Sequence, residues 1–268
     1  MRLAISNIAW PPADEPAVTH LLQELGVRGL EVAPTAVWPR LDAVTEAQAT
    51  AYRSTWEARG IDIVALQAIL YGRPDLQLFG TAARRSELLA YLHAVFRLAA
   101  WLGAGPLVFG SPRNRVAGDL SAKERTRIAT DFFRQAGDTA AALDVVLCIE
   151  PNPAEYGCDF VQTLREAQSL VDRVDSPGFA LHVDSAAMAL THDGPGSLGA
   201  GPLPRHFHIS EPYLAPVNAE SQVDHSGYAA ALRGLGYSGW CSIEMRAPDA
   251  DVLPTARRAL EFAAAVYG

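Results

Sequence analysis

Cysteine is scarce: Cys148, Cys158 and Cys241 are the only three in 268 residues. An odd, sparse set does not make a disulfide framework or a zinc site, and it reads as reduced thiols of a cytoplasmic protein. Positive charge is also short. Lys and Arg number 22 against 30 Asp and Glu, a net charge of −8, and without clustered cations to meet phosphates a nucleic-acid partner is not expected. Long apolar runs are missing too. The most apolar stretch, Leu88 to Gly110, is broken by His93 and Arg97 and ends in Gly-Ala-Gly-Pro, so no membrane association is expected. The opening MRLAISNIAWPP has no small-residue cleavage pattern and does not read as a signal peptide. Nothing resembling a Ser/Gly-rich linker divides the chain.

What is present has globular character, with 49% hydrophobic and 19% charged residues and enough length to bury a large core. Short β-branched runs alternate with longer amphipathic ones. Strands are expected at Leu3–Ile8, Gly29–Val32, Ile61–Ala65, Leu107–Phe109, Val145–Ile149, Phe179–Val183, Arg205–Ile209 and Trp240–Ile243. Helices are expected at Ala17–Leu25, Thr45–Ala58, Ala82–Leu102, Ala122–Ala142, Phe160–Val174, Gly227–Leu235 and Pro254–Val266. Ser121 and Asp159 read as N-caps, and Gly26, Gly60, Gly103 and Gly236 as left-handed residues just past helix ends. Eight strand–helix units predict a parallel sheet. In one chain of this length they predict an α/β fold made of a single closed (β/α)8 TIM barrel over residues 1–268, its active site at the C-terminal strand ends. The alternative, a doubly wound open sheet, would carry a Gly-rich phosphate turn after the first strand, where Ala-Trp-Pro-Pro stands instead.

Four successive strands end in ionisable side chains. They are Glu150 in VVLCIEPNP, His182 and Asp184 in ALHVDS, His206 and His208 in RHFHISEP, and Glu244 in CSIEMR. Strand alternation puts Asp184 with His182, and His208 with His206, on one face. Inward barrel positions usually carry apolar side chains, so four polar ones together point to a site. Two Glu, one Asp and one His form an oxygen-rich donor set for one divalent cation, Mn²⁺ first, with Mg²⁺, Co²⁺ or Zn²⁺ as alternatives. Without a cation the three carboxylates would repel one another.

The chain resembles the xylose isomerase-like TIM-barrel superfamily, the sugar phosphate isomerase/epimerase group that includes ketose 3-epimerases. The matching segments are GVRGLEV, IEPNP, HVDS, HFHIS and GYSGWCSIE. The resemblance implies that Glu150, Asp184, His208 and Glu244 hold one metal and that Glu150 and Glu244 form the acid/base pair. It also marks departures. Ala187 stands where such epimerases place a substrate-binding His, no Arg lies between His208 and Arg233, and a second Glu is matched only loosely, by Glu155. The apurinic endonucleases of the superfamily want further His ligands, and here only Asp224-His225 appears.

Around this core, Arg113 and Arg115 in GSPRNR either clamp a phosphate or carboxylate or are solvated loop residues. His182 and His206 are either buried structural histidines or partners of a ligand or substrate. Glu31 ends the second strand and is either a substrate contact or part of a structural pairing. Trp10 and Trp38 could wall a sugar face, with ordinary packing as the alternative. Cys148 and Cys241 read as core filler. The expected function is a metal-dependent isomerase or epimerase of a sugar or sugar derivative, in which two glutamates exchange a carbon-bound proton through an enediolate. A dehydrating lyase of a keto-polyol and a non-catalytic sugar-binding barrel are the alternatives. The expected partner is a small-molecule sugar, and the sequence leaves a homo-oligomer open.

Overall fold

The computed structural model describes residues 1–268. Strands β1 (Arg2–Ser6), β2 (Gly29–Val32), β3 (Asp62–Leu66), β4 (Pro106–Phe109), β5 (Val146–Ile149), β6 (Phe179–Asp184), β7 (His206–Ser210) and β8 (Trp240–Glu244) pair in parallel, in chain order. β8 closes against β1 to complete the barrel. Outside it lie α1 (Glu15–Glu24), α2 (Glu46–Glu57), α3 (Ala82–Leu102), α4 (Ala122–Ala141), α5 (Leu164–Val174), α6 (Ser185–Leu190), α7 (His225–Gly234) and α8 (Val252–Tyr267). None of these helices is long and apolar enough to cross a membrane.

Local chemistry explains most boundaries. The α3 range is the expected one, and Gly103 ends the helix at φ +76°, a conformation cheap only for glycine. Ser121 caps α4 as expected, in a reciprocal capping box with Glu124. Asp159 does not cap α5. Its carboxylate accepts from the backbone N–H groups of Ala117 and Gly118, both at 2.8 Å, and the helix starts four residues later than expected, at a Thr163–Glu166 capping box. β1 stops at Ser6 rather than Ile8, because Asn7–Ala9 turn into a 3₁₀ segment. The sequence reading has no helix between β6 and β7. There the short α6 follows β6 directly, with Asp184 Oδ1 accepting from Ala187 N at 2.7 Å.

The apolar core lies mainly between sheet and helices. Phe133 of α4, for instance, stacks on Phe179 of β6 and meets Phe109 of β4 edge-on. Inside the barrel the composition differs. Ser6, Glu31, His182, His206, His208 and Ser242 are all fully buried polar residues. The register aligns His182 with His206, Asp184 with His208, and Ser210 with Glu244. The polar strand ends are therefore at one level of the barrel.

Candidate active site

Glu150, Asp184, His208 and Glu244 offer four ligand atoms within 4.8 Å of one another. His208 Nδ1 lies 3.2 Å from Glu244 Oε2 and 3.8 Å from both Glu150 Oε1 and Asp184 Oδ2. Its other ring nitrogen, Nε2, contacts Glu31 Oε2 at 3.0 Å and Oε1 at 3.1 Å. Glu31 also takes His206 Nε2 at 3.1 Å. With its proton on Nε2, facing Glu31, His208 turns the Nδ1 lone pair toward the three carboxylates. That nitrogen is buried and has no aligned hydrogen-bond partner. Three carboxylate oxygens around an orphaned imidazole nitrogen fit a hard divalent cation.

Glu150 and Asp184 are positioned by neighbours. Asn152 Nδ2 donates to Glu150 Oε2 at 3.1 Å and to Gly110 O at 2.8 Å. A side chain at Gly110 would collide with the Glu150 carboxylate, so the approach needs glycine. Ser210 Oγ donates to Asp184 Oδ2 at 2.5 Å. Burial of Glu31 opposes its ionisation, but His208 and His206 outweigh burial and hold its carboxyl well below the usual range. Without a cation, His208 is pushed well above the usual imidazole range; burial acts against this, and the Glu31 and Glu244 charges prevail, so the Nδ1 lone pair is offered only where a cation takes the place of that proton. Burial, followed by the His208 and His206 charges, holds His182 well below the usual imidazole range. Asp184 is pushed up to about 7 by burial and then by the neighbouring Glu150 and Glu244 charges.

Two cavities open on this cluster, and Glu150 and Glu244 line both. One, of about 220 Å³, is walled by Gln67–Tyr71, Gly110 and Ser111. The other, of about 500 Å³, is walled by Asn152, Tyr156, Ala187, Glu211, Tyr213 and Arg246. Tyr71 and Tyr213 are 76% and 65% exposed. Tyr213 and Leu214 hold left-handed φ angles of +62° and +60°, backbone strain at the rim of a site.

A family model for xylose isomerase-like TIM barrels matches residues 20–266. The chain belongs to this family. Among solved structures, this xylose isomerase-like barrel is similar to D-psicose 3-epimerase from Clostridium cellulolyticum H10 in complex with D-tagatose. The match has a TM-score of 0.84 and 18% identity over 100% of this chain and 99% of the other. It is also similar to 3-keto-D-glucoside 4-epimerase from E. coli in its apo form, at TM-score 0.82 and 18% identity over 99% of both chains. A third is the IOLI protein with a bound zinc atom, at TM-score 0.78 and 16% identity over 100% of this chain and 98% of the other. At these identities the likeness is one of fold. No curated protein sequence matches the chain.

In this xylose isomerase-like barrel the remaining sequence candidates do not line the two cavities. Glu31 and His206 are buried beneath the four-residue cluster and paired with each other. His182 is buried beside them, its Nε2 3.4 Å from Glu150 Oε1 and its ring 4.2 Å from that of His208. Glu155 is exposed on the loop after β5. Trp10 is core, and Trp38 packs edge-on against Tyr52. Arg113 is exposed. Arg115 is fully buried and donates through Nη2 to the Glu150 carbonyl at 2.7 Å. The arginine pair is thus split, because the β4–α4 loop turns one outward and folds the other behind Glu150. Cys148 and Cys241 are buried and unpaired, as expected. Gln67, Tyr71, Asn152, Tyr156, Glu211, Tyr213 and Arg246 went unnoticed in the sequence. Of these, Asn152 and Glu211 carried a signal, standing two and three residues past Glu150 and His208.

The raised Asp184 gives a pH-dependent expectation. In the metal-free protein its folded value, about 7, exceeds its ordinary 3.8. Its favourable contribution to stability is therefore fully present below about pH 4 and lost as pH rises toward 7. Asp184→Asn should raise the melting temperature of the chelator-treated protein at about pH 8 and leave it unchanged near pH 4. Thermal melts at the two pH values check this, and an equal shift at both would assign the effect to packing.

Proposed function

We propose that this xylose isomerase-like barrel is a divalent-metal-dependent isomerase or epimerase acting on a sugar or sugar derivative. Glu150, Asp184, His208 and Glu244 would hold the ion, Mn²⁺ first among Mg²⁺, Co²⁺ and Zn²⁺. The observation that carries this reading is the convergence of those four ligand atoms within 4.8 Å, with both glutamates shared by the two cavities. When bound, a divalent cation supplies Lewis acidity toward a substrate carbonyl and the positive charge that lets three carboxylates share one place.

The chain's own residues supply the rest. A hydroxy-ketone lying across the cluster has Glu150 and Glu244 beside it, both contributed by the strand-end rim. One carboxylate takes the proton from the carbon that carries the hydroxyl, and the other delivers a proton to the opposite face, which inverts the centre. Asn152 holds Glu150 through Oε2, which turns Oε1 toward the cluster and a substrate bound there. Ser210 and the Ala187 N–H fix both oxygens of Asp184, so that carboxylate serves as an anchor and not as a base. The fold neighbours that are named as ketose and keto-glycoside epimerases support proton transfer beside a carbonyl.

The test is incubation of Mn²⁺-reconstituted protein with a panel of ketoses in D₂O. Carbon-bound deuterium in a new epimer or isomer, without loss of mass as water, is expected. Loss of water would make the protein a lyase, and neither label nor product would reduce it to a binder.

A further inference from the structure

Glu211 is a nearly buried carboxylate on the cavity wall that the proton-transfer scheme does not use. It follows β7 directly and is only 6% exposed. One oxygen, Oε1, is committed to the Ser221 hydroxyl and to His225 Nε2, the latter at 2.9 Å. His225 Nδ1 in turn lies 2.8 Å from the Tyr267 hydroxyl. This network assigns the His225 proton to Nε2, donating to Glu211, with Tyr267 donating to Nδ1. No protein group donates to the second oxygen, Oε2, and the residue lines the 500 Å³ cavity beside Ala187, Tyr156 and Arg246. A carboxylate anchored at one oxygen and open at the other suits a ligand that brings hydrogen-bond donors.

We propose that this cavity receives the uncharged, hydroxyl-bearing chain of the substrate, with Glu211 accepting its hydroxyl hydrogens, and that it rejects phosphorylated or acidic sugars. The proposal rests on the hydroxy-ketone reading above. A phosphate or carboxylate would bring more acceptors and more negative charge to a wall that already holds Glu150, Asp184, Glu211 and Glu244 against one guanidinium, the exposed Arg246. One bound divalent cation does not reverse that balance. Arg113 and Arg115, which would favour an anion, do not line the cavity. Ala186 and Ala187 line the same cavity with small side chains.

The experiment titrates the Mn²⁺-loaded protein with D-fructose, D-fructose 6-phosphate and dihydroxyacetone, reading paramagnetic broadening of each ketose's own protons. Dihydroxyacetone carries the hydroxy-ketone head without the chain. Wild-type protein should bind D-fructose at least about tenfold more tightly than either other probe, the scale of a charge-assisted hydrogen bond. Glu211→Ala should lose about that factor for D-fructose only, with Mn²⁺ stoichiometry unchanged. Glu211→Gln keeps an acceptor toward His225 and serves if the alanine variant does not fold; it should weaken D-fructose and narrow the gap to the phosphate. Equal D-fructose affinity in wild type and variant, or tighter binding of the phosphate by wild type, overturns the proposal alone. No broadening of any ketose overturns the hydroxy-ketone reading together with it.

Discussion

Glu150→Gln and Glu244→Gln are each expected to lower kcat by about 10²–10⁴-fold at saturating Mn²⁺, the usual contribution of a positioned acid or base. Glutamine is nearly isosteric and keeps one carbonyl oxygen, so each variant retains a ligand atom while losing the group that carries the proton. At position 150 that single oxygen must serve both Asn152 Nδ2, now 3.1 Å from Oε2, and the cation, so saturating metal is needed for a fair comparison. The two variants should also fail differently from a generally damaged enzyme. Each leaves one carboxylate intact, and in D₂O that carboxylate can still exchange the substrate proton from one face without inverting the centre. Label and configuration are therefore followed together. Inversion at near wild-type rate by either variant would sink the two-glutamate mechanism.

His208→Ala should have two large effects with one origin. Metal content measured by elemental analysis should fall from about one equivalent per chain to near none, because Nδ1 is the only nitrogen in the cluster. Stability should fall by about 3–5 kcal/mol, because Glu31, fully buried, is left with His206 as its only charge partner. A double variant separates the effects. Adding Glu31→Leu to His208→Ala removes the stranded charge, so the melting temperature should recover while metal stays lost. Full metal occupancy in the single variant would remove His208 from the ligand set.

How far the sequence reaches can be seen in particular residues. The eight strand–helix units, the α3 limits and the Ser121 cap were legible because each is encoded within a few neighbouring positions by periodicity and capping chemistry. The strand-end residues Glu150, Asp184, His208 and Glu244 were legible for the same reason. Once strand direction and alternation are known, parity decides which side chains face inward at the rim. Closed parallel pairing in chain order then brings them together.

Tertiary structure decided what parity does not encode. Glu31 lies on β2 and its partners His206 and His208 on β7, 175 and 177 residues apart, in strands that are not neighbours in the sheet. Such a contact exists only across a closed barrel, where low dielectric and burial force the charges to pair. Local position makes Asp159 a cap candidate, yet its carboxylate accepts from the Ala117 and Gly118 amides, which the tertiary fold brings to it. Arg113 and Arg115 are alike in type and spacing, and only the path of one loop made one a solvated side chain and the other a buried support of Glu150. Periodicity and strand parity thus determined the barrel and its four converging polar side chains. Closure determined their partners, their protonation and the cavity wall, because those depend on through-space distances between segments far apart in the chain.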